Sequence, residues 1–271
     1  MQLSATVDYE RIPFRAPTTG ALQVNSAYHR RVPPPIELGN STSGQLEGFS
    51  PVVVVPVGST EQHGPHLPLD TDTRIATAVA RTVMQRLAAT PAPSSYRLAP
   101  AVAYGASGEH ESFPGTISIG TEALQQLLVE FARSACRWAP RVVFVNGHGG
   151  NVEALRAATR LLRHEGRDVA WCSCIVRGGD AHAGHTETSV LLYLSPSDVL
   201  VEESCPGNSA PLAELLPRMR RGGVAAVSEV GVLGDPTSAT AVAGKRLFGE
   251  MVAGCADRIS RWIPGADGML S

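Results

Sequence analysis

Short aliphatic runs alternate with longer amphipathic stretches along this chain. Buried or alternating apolar runs predict strands at residues 52–55, 97–104, 141–145 and 168–176. Apolar residues spaced three or four positions apart predict helices at residues 73–87, 121–138, 151–165, 187–194 and 239–263. Strands that alternate with helices of this size favour parallel pairing. The sequence therefore predicts the α/β class: a three-layer α/β/α domain with a mostly parallel central sheet.

The same pattern predicts details of individual elements. In the second helix the residues expected to face inward are Leu124, Leu127, Leu128, Phe131 and Ala135. Asn151 is the expected N-cap of the third helix, and Gly166 is its expected stop signal. Residues 222–236 are rich in glycine and are predicted to form a loop.

The two ends of the chain differ in composition. Residues 1–44 are rich in Pro, Ser, Thr and Gly, so we expect a partly extended or disordered N-terminal extension. Residues 45–271 show no further boundary and are expected to form one domain. A length of 271 residues is ordinary for a single α/β domain with an extension.

Composition and charge narrow the classes of function. Apolar residues make up 43% of the chain and charged residues 18%, which is typical of a globular protein. The formal net charge is −2 without a basic block, so the chain lacks the electrostatic footprint of a nucleic-acid-binding protein. No apolar run reaches the length of a membrane span, and the N-terminus lacks the pattern of a signal peptide. We therefore expect a cytoplasmic protein with neither a nucleic-acid nor a membrane partner.

Polar clusters follow three of the predicted strands, at residues 59–72, 146–151 and 179–189. The carboxyl ends of parallel strands meet at one edge of a sheet, where sites form. Glu61 and His63 are two residues apart and can face the same way in an extended loop, while Asp72 begins the next helix and His148 lies between glycines. Mixed imidazole and carboxylate ligands suit Zn, Mn or Fe(II) rather than Ca or Mg. The clusters predict a transition-metal site.

Other interpretations of these segments remain open. NGHGGN resembles an anion cradle before a helix, but it fits neither GxxxxGK[ST] nor GxGxxG, which disfavours nucleotide binding. His66 and Asp70 are interpreted as loop residues that serve turns and caps. His29 and His164 are interpreted as surface residues, and His185 as a partner that orients a metal ligand.

Four motifs in order along the chain resemble those of the creatininase family of metal-dependent amidohydrolases: VGSTEQHGPHLPLDTD, SGEHESFPGTISIG, VNGHGGN and DAHAGHTETS. The resemblance covers most of the chain from about Ala27 onward and implies a creatininase-like fold. One subgroup, the peptidases of mycofactocin systems, is matched more closely by YHRRVP, residues 57–82, GHTETSVLL and RRGGVAAVSEVGVLGDPT. Because the recognisable part of the chain begins near VNSAYHRRVP, whose first residue is Val24, Val24 is a candidate native start.

The resemblance implies two divalent metal ions per subunit, Fe(II) and/or Zn, or Mn. Its motif positions make Glu61, His63, Asp72 and His148 the metal ligands, with Asp72 between the two ions. The catalytic histidine of creatininase matches His182, which is expected to carry a proton to the leaving nitrogen.

Two positions depart from the creatininase pattern. Gly150 stands where creatininase has a glutamate ligand, and Ala181 stands where it has an acidic residue. Glu187 is the expected substitute, which either completes the metal shell or orients His182. Asp180 is a candidate replacement for the acid missing at Ala181. These departures argue against creatinine as the substrate.

The resemblance implies a peptidase whose substrate is a crosslinked precursor peptide, cut to release its C-terminal Val–Tyr-derived piece. Glu109 and His110 are expected to line the substrate pocket, or else to belong to a surface loop. The family also implies a homo-oligomer, a hexamer or similar. Two alternatives are a cyclic-amide or formamide hydrolase and a metal-binding module without turnover.

Overall fold

The computed structural model describes residues 35–88 and 96–271. Its strands are β1 (Val52–Val57), β2 (Tyr96–Leu98), β3 (Arg141–Asn146) and β4 (Val169–Ser173). Its helices are α1 (Ser43–Leu46), α2 (Thr71–Ala88), α3 (Gly120–Ala135), α4 (Val152–His164), α5 (His185–Leu194), α6 (Leu212–Gly222) and α7 (Ala241–Arg261). Most of the extension predicted over residues 1–44, including His29, lies outside the described residues. Its described part, residues 35–44, contains a short 3-10 turn, Leu38–Asn40, and the start of α1.

The four strands form one sheet in the order β2-β1-β3-β4, and every neighbouring pair is parallel. The prediction of a mostly parallel sheet is therefore confirmed. Because all four strands point the same way, the loops that follow β1, β3 and β4 leave from the same edge. These are the loops that carry the three polar clusters.

Strand side chains alternate between the two faces of the sheet. Val52 and Val54 pack into a core with residues of α2, α5 and α7, whereas Val53, Val55 and Val57 pack against α3 and α4. Helices thus cover both faces, which confirms the three-layer architecture. None of the helices in the described ranges is long and apolar enough to cross a membrane.

The predicted strand at residues 97–104 is wrong beyond Leu98. Pro100 interrupts it, because proline has no N–H to donate to the ladder. The chain rejoins β1 only through an isolated bridge between Val57 and Val102. The predicted strand at residues 168–176 likewise ends at Ser173, and the residues that follow leave the sheet to line a cavity.

Three further details differ from prediction. Leu127 of α3 is 40% exposed and Phe131 is half-buried, whereas the other three residues expected to face inward, Leu124, Leu128 and Ala135, are buried. The side chain of Asn151 does not cap α4, because it forms hydrogen bonds with other loops. Gly166 has a positive φ of 80° beyond the end of α4, as expected of a stop signal. Helix α6 was not predicted, and it ends inside the predicted glycine-rich loop.

Candidate metal centre

The loop after β1 brings Glu61 and His63 against the start of α2. Gly58 allows this close approach, because an added Cβ would overlap the backbone of Thr73. Ser59 Oγ donates a hydrogen bond to Asp72 Oδ2 at 2.8 Å. The loop and the first turn of α2 therefore hold Glu61, His63 and Asp72 as neighbours.

The loop after β3 adds His148 to this group. A Cβ at Gly147 would meet the main-chain oxygen of Asp72 at 2.5 Å, so only glycine lets the two segments pack so closely. Asn151 ties the loops together, since its Nδ2 donates to Gly58 O at 2.9 Å and to Asn146 Oδ1 at 3.2 Å. This use of the Asn151 side chain explains why it does not cap α4.

The segment between β4 and α5 adds His182, and the first turn of α5 adds Glu187. Asp180 Oδ1 accepts the backbone N–H of Thr186 at 2.9 Å, which fixes the start of α5. Ala183 adopts a left-handed conformation with φ of 52°, and its backbone N–H donates to Glu187 Oε2 at 2.7 Å. This strained turn aims Glu187 and His182 at the side chains from the other two loops.

The histidines and carboxylates form one buried cluster. His148 Nε2 lies 3.2 Å from Glu61 Oε2, and His148 Nδ1 lies 3.2 Å from Asp72 Oδ2. His63 Nε2 lies 3.3 Å from Asp72 Oδ1 and 3.9 Å from Glu187 Oε2. The two oxygens of Asp72 thus face two different histidines, as a carboxylate between two ions would.

Ligand atoms converge closely enough to share an ion. One atom each from Glu61, His63 and Asp72 lies within 4.8 Å of the other two, and the same holds for His63, His182 and Glu187. His63 Nδ1 donates to the main-chain oxygen of Glu61 at 3.1 Å, which leaves Nε2 as the ligand atom. His148 touches Glu61 and Asp72 through different ring nitrogens.

Glu61 fits a bound cation best of all these residues. Both of its carboxylate oxygens are buried and make no hydrogen bond, although His148 Nε2 is near. A buried carboxylate without donors is costly unless a cation compensates its charge. The residues present therefore fit a divalent metal, and the mixed donor set suits Zn, Mn or Fe(II).

The ionisation of the cluster shows how strongly it attracts positive charge. Burial alone would lower the pKa of His63, but the charges of Asp72 and Glu187 outweigh it and raise the pKa to about 10. Burial also opposes the shift at His148, where Glu61 and Asp72 raise the pKa well above its usual value. Burial would raise the pKa of Glu61, but His148 lowers it to about 2. Divalent ions supply the same positive charge when they displace the imidazole protons.

The neighbouring groups stay uncharged near neutral pH or titrate close to it. Burial lowers the pKa of His110 to about 4 and, together with the charge on His63, lowers that of His182 well below its usual value. Burial, followed by the charge of Asp72, raises the pKa of Glu187 to about 7. A neutral imidazole at His182 can accept a proton, as a general base must.

A cavity of about 760 Å³ opens beside the cluster. Its wall includes Asp72, His148, His182 and Glu187, so the candidate ligands face space large enough for a substrate. Glu109 and His110 contact the cluster but are not among the residues lining this cavity. Glu109 Oε1 lies 3.7 Å from His148 Nε2, and His110 Nε2 lies 3.4 Å from Glu61 Oε1.

The remaining predicted residues serve local structure. His66 is buried and its Nε2 contacts Thr188 Oγ1 at 2.8 Å, while Asp70 accepts from Arg74 Nε at 2.7 Å. His164 is exposed at the end of α4. His185 Nδ1 contacts Ser238 Oγ at 3.0 Å, and the predicted role of His185 in orienting a metal ligand stays a prediction.

Sequence reasoning missed Gln62. This residue is 5% exposed and contacts both His110 and His182. The alternation argument that singled out Glu61 and His63 places the residue between them on the opposite side. Only the observation that a polar residue separates two candidate ligands could have drawn attention to it.

The sequence profile of the family Creatininase, described as creatinine amidohydrolase, matches residues 40–259. A relative from Mycolicibacterium smegmatis named "Mycofactocin precursor peptide peptidase" is 68% identical over 92% of this chain and 100% of its own length. A relative of the same name from Mycobacterium tuberculosis is 66% identical over the same shares. A creatininase mutant solved in a zinc–zinc form superposes with a TM-score of 0.69 and 26% identity, over 85% of this chain and 99% of its own.

Proposed function

The chain belongs to the creatininase family, and on that premise we propose that it is a metal-dependent peptidase of mycofactocin biosynthesis. It hydrolyses a C–N bond of the modified precursor peptide and releases the C-terminal Val–Tyr-derived dipeptide. The observation that carries the proposal is the 68% identity to the M. smegmatis relative over that relative's full length. The buried, unpartnered carboxylate of Glu61 supports the metal dependence.

Two divalent ions, Zn, Fe(II) or Mn, are held in this proposal by the ligands Glu61, His63, Asp72 and His148. Asp72 would serve both ions, because its two oxygens face His63 and His148 separately. Glu187 Oε2, 3.9 Å from His63 Nε2, supplies the carboxylate that the chain lacks at Gly150. The zinc–zinc form of the creatininase neighbour supports a paired site.

When bound, a divalent ion lowers the pKa of coordinated water to around 7 and polarises a carbonyl oxygen. His182 borders the cavity beside Glu187 and carries the proton to the leaving nitrogen. Glu187, held by the backbone N–H of Ala183, completes the ligand set or orients His182. Glu109 and His110, which we propose bind the substrate, contact His148 and Glu61 but do not line the cavity.

The substrate is tested by offering the zinc-loaded or iron-loaded enzyme three compounds: crosslinked precursor peptide, unmodified precursor peptide and creatinine. Mass spectrometry of the products should show release of the C-terminal dipeptide from the crosslinked peptide. Turnover of creatinine alone would rule out the peptidase assignment. The oligomeric state, a hexamer or similar in this proposal, is measured on the same sample by analytical ultracentrifugation.

The variant His182→Ala separates a peptidase from a metal-binding module without turnover. It should retain bound metal, measured by elemental analysis, and lose cleavage of the crosslinked peptide. The matched control is His164→Ala, because His164 is exposed at the end of α4 and belongs to none of the three polar clusters. Equal cleavage by both variants would contradict the role given to His182.

A cyclic-amide or formamide hydrolase is the second candidate, favoured by the description of the matched family as creatinine amidohydrolase. The structure around Gly150 disfavours creatinine itself. A Cβ at this position would overlap His148 Nε2 and the main-chain oxygen of Ala106, and would come within 2.9 Å of Glu109 Oε1. No glutamate ligand can therefore be accommodated at Gly150 in this backbone arrangement.

A further inference from the structure

The side chain of Gln62 has only one amide orientation that satisfies its surroundings. Its Oε1 accepts the backbone N–H of Gly64 at 2.9 Å, and its Nε2 donates to the main-chain oxygen of Gly231 at 3.1 Å. A backbone N–H only donates and a carbonyl oxygen only accepts, so a flipped amide would lose both hydrogen bonds. Gly231, with φ of 79°, packs so closely that a Cβ there would overlap Gln62 Oε1.

This orientation sets the tautomer of His110. The Nε2 group of Gln62 has a second hydrogen, and His110 Nδ1 lies 2.7 Å from it. An amide nitrogen does not accept hydrogen bonds, so His110 Nδ1 must be the acceptor and carry no proton. His110 is therefore a neutral imidazole with its proton on Nε2, which faces Glu61 Oε1 at 3.4 Å.

The main chain of Gln62 sets the tautomer of His182. His182 Nε2 lies 2.9 Å from the main-chain oxygen of Gln62, which can only accept, so Nε2 carries the proton. Gln62 Nε2 is also 3.1 Å from this nitrogen, but its two hydrogens already bond His110 and Gly231. The lone pair of His182 is consequently on Nδ1, which lies 3.7 Å from Glu61 Oε1.

We propose that Gln62 is a positioning residue that presents Nδ1 of His182, as the proton-carrying atom, to the carboxylate cluster and keeps the proton of His110 on Nε2, the nitrogen that faces Glu61. This inference rests on the proposed function, because it names the atom through which His182 acts. Glu61 Oε1 and His182 Nδ1 both accept, and two acceptors 3.7 Å apart repel each other unless positive charge lies between them. A cation held by Glu61 would supply that positive charge.

The test is the tautomeric state of His110 and His182 in the zinc-loaded protein labelled with 15N-histidine. Long-range proton–nitrogen correlation spectra distinguish a ring protonated on Nδ1 from one protonated on Nε2. The chain has eight histidines, so signals are assigned by loss in His110→Asn and His182→Asn. We expect both rings to be protonated on Nε2, and finding a proton on Nδ1 of neutral His110 would overturn the inference.

The variant Gln62→Glu tests the side chain directly. A carboxylate still accepts from Gly64 but cannot donate to His110, so the His110 proton should move to Nδ1. The His182 tautomer, which the main chain sets, should stay unchanged, and we expect kcat on the crosslinked peptide to fall by about 10²-fold because His110 Nε2 loses the proton that faces Glu61. Unchanged tautomers and unchanged kcat would contradict the role of Gln62.

The matched control is Gln126→Glu, because Gln126 is exposed on α3 and its side chain donates to Glu130 on the same helix. It should leave both tautomers and kcat unchanged, and the signal of exposed His164 reports whether each variant is folded. The spectra test the tautomers and the cleavage assay tests the proposed function, so one can be contradicted without the other. If wild-type His110 and His182 are both protonated on Nε2 but no peptide is cleaved, only the proposed function is contradicted. If the peptide is cleaved but neutral His110 is protonated on Nδ1, only this inference is contradicted.

Discussion

At the scale of single residues, the site is governed by buried carboxylates whose charge is not balanced by neutral donors. Glu61 has no hydrogen bond to either oxygen, and Asp72 is shared by Ser59 and two histidines. Such groups lower their free energy by attracting positive charge, either as protons on neighbouring imidazoles or as metal ions. The same residues therefore bind protons and metals in competition.

This competition predicts proton release on metal binding. His63, with its pKa raised to about 10, and His148, with its pKa raised well above its usual value, are both protonated at pH 7 in the metal-free protein. Filling the site should release about two protons per chain, and metal affinity should therefore rise with pH. Calorimetric titration of zinc in buffers with different ionisation enthalpies measures the number of protons released.

The variant His63→Gln should release about one proton fewer than the wild type, because one protonated ligand is gone. His164→Gln is its control, since His164 is exposed and outside the cluster. Zinc binding without any proton release would show that His63 and His148 are not its ligands.

At the scale of elements, the position of Glu187 depends on how α5 packs against α7. Gly244 lies at their crossing, where a Cβ would overlap the main-chain oxygen of Ser189. The close contact brings the backbone of α7 against the helix that carries Glu187 in its first turn. A glycine inside α7 therefore has a packing reason despite its low helix propensity.

Two substitutions in α7 should have opposite effects on stability. Gly244→Ala must push α5 away and should lower the free energy of unfolding by about 1–3 kcal/mol. Gly249→Ala has no atom within 4 Å of the new Cβ and should raise it by about 0.5–1 kcal/mol. Urea denaturation of both variants measures these changes, and equal effects would contradict the packing argument.

The sequence predicts elements better than it predicts their ends or their contacts. The valine runs of β1 and β3 and the stripe on α2 identify buried elements, because burial leaves an apolar period in the sequence. The end of β4 at Ser173 cannot be predicted from the sequence, since apolar residues continue into the cavity wall at Ile175 and Val176. Helix α6 escaped prediction because it contains Pro217 and buries only Leu215.

The candidate ligands could be named because charged residues after buried strands have few structural explanations. Gln62 and Asn151 could not be assigned roles, because each acts through hydrogen bonds to residues distant in sequence. Asn151 was given a local capping role, whereas its amide joins the loops after β1 and β3. Long-range hydrogen bonds of this kind leave no period or spacing along the chain.

At the scale of the whole molecule, the candidate metal ligands lie together at one edge of a parallel sheet. The loops after β1, β3 and β4 supply Glu61, His148 and His182, and the first turns of α2 and α5 supply Asp72 and Glu187. A metal ion held there links segments more than 100 residues apart in sequence. Metal binding and global stability are therefore coupled in this fold.

Removing metal should lower the melting temperature of the protein. At metal concentrations about 100 times the dissociation constant, binding adds about 2.7 kcal/mol to stability. For a domain of this size that corresponds to a shift of about 5–10 °C. Calorimetric melting with zinc and with chelator measures the shift, and Glu61→Gln should show little difference between the two conditions.

The most direct test of the account is an anomalous difference map from crystals grown with ample zinc, recorded at the zinc absorption edge. We expect two peaks in the cluster, one between Glu61, Asp72 and His148 and the other between Asp72, His63 and Glu187. Crystals that bind zinc only elsewhere, with these five side chains contacting no peak, would contradict it.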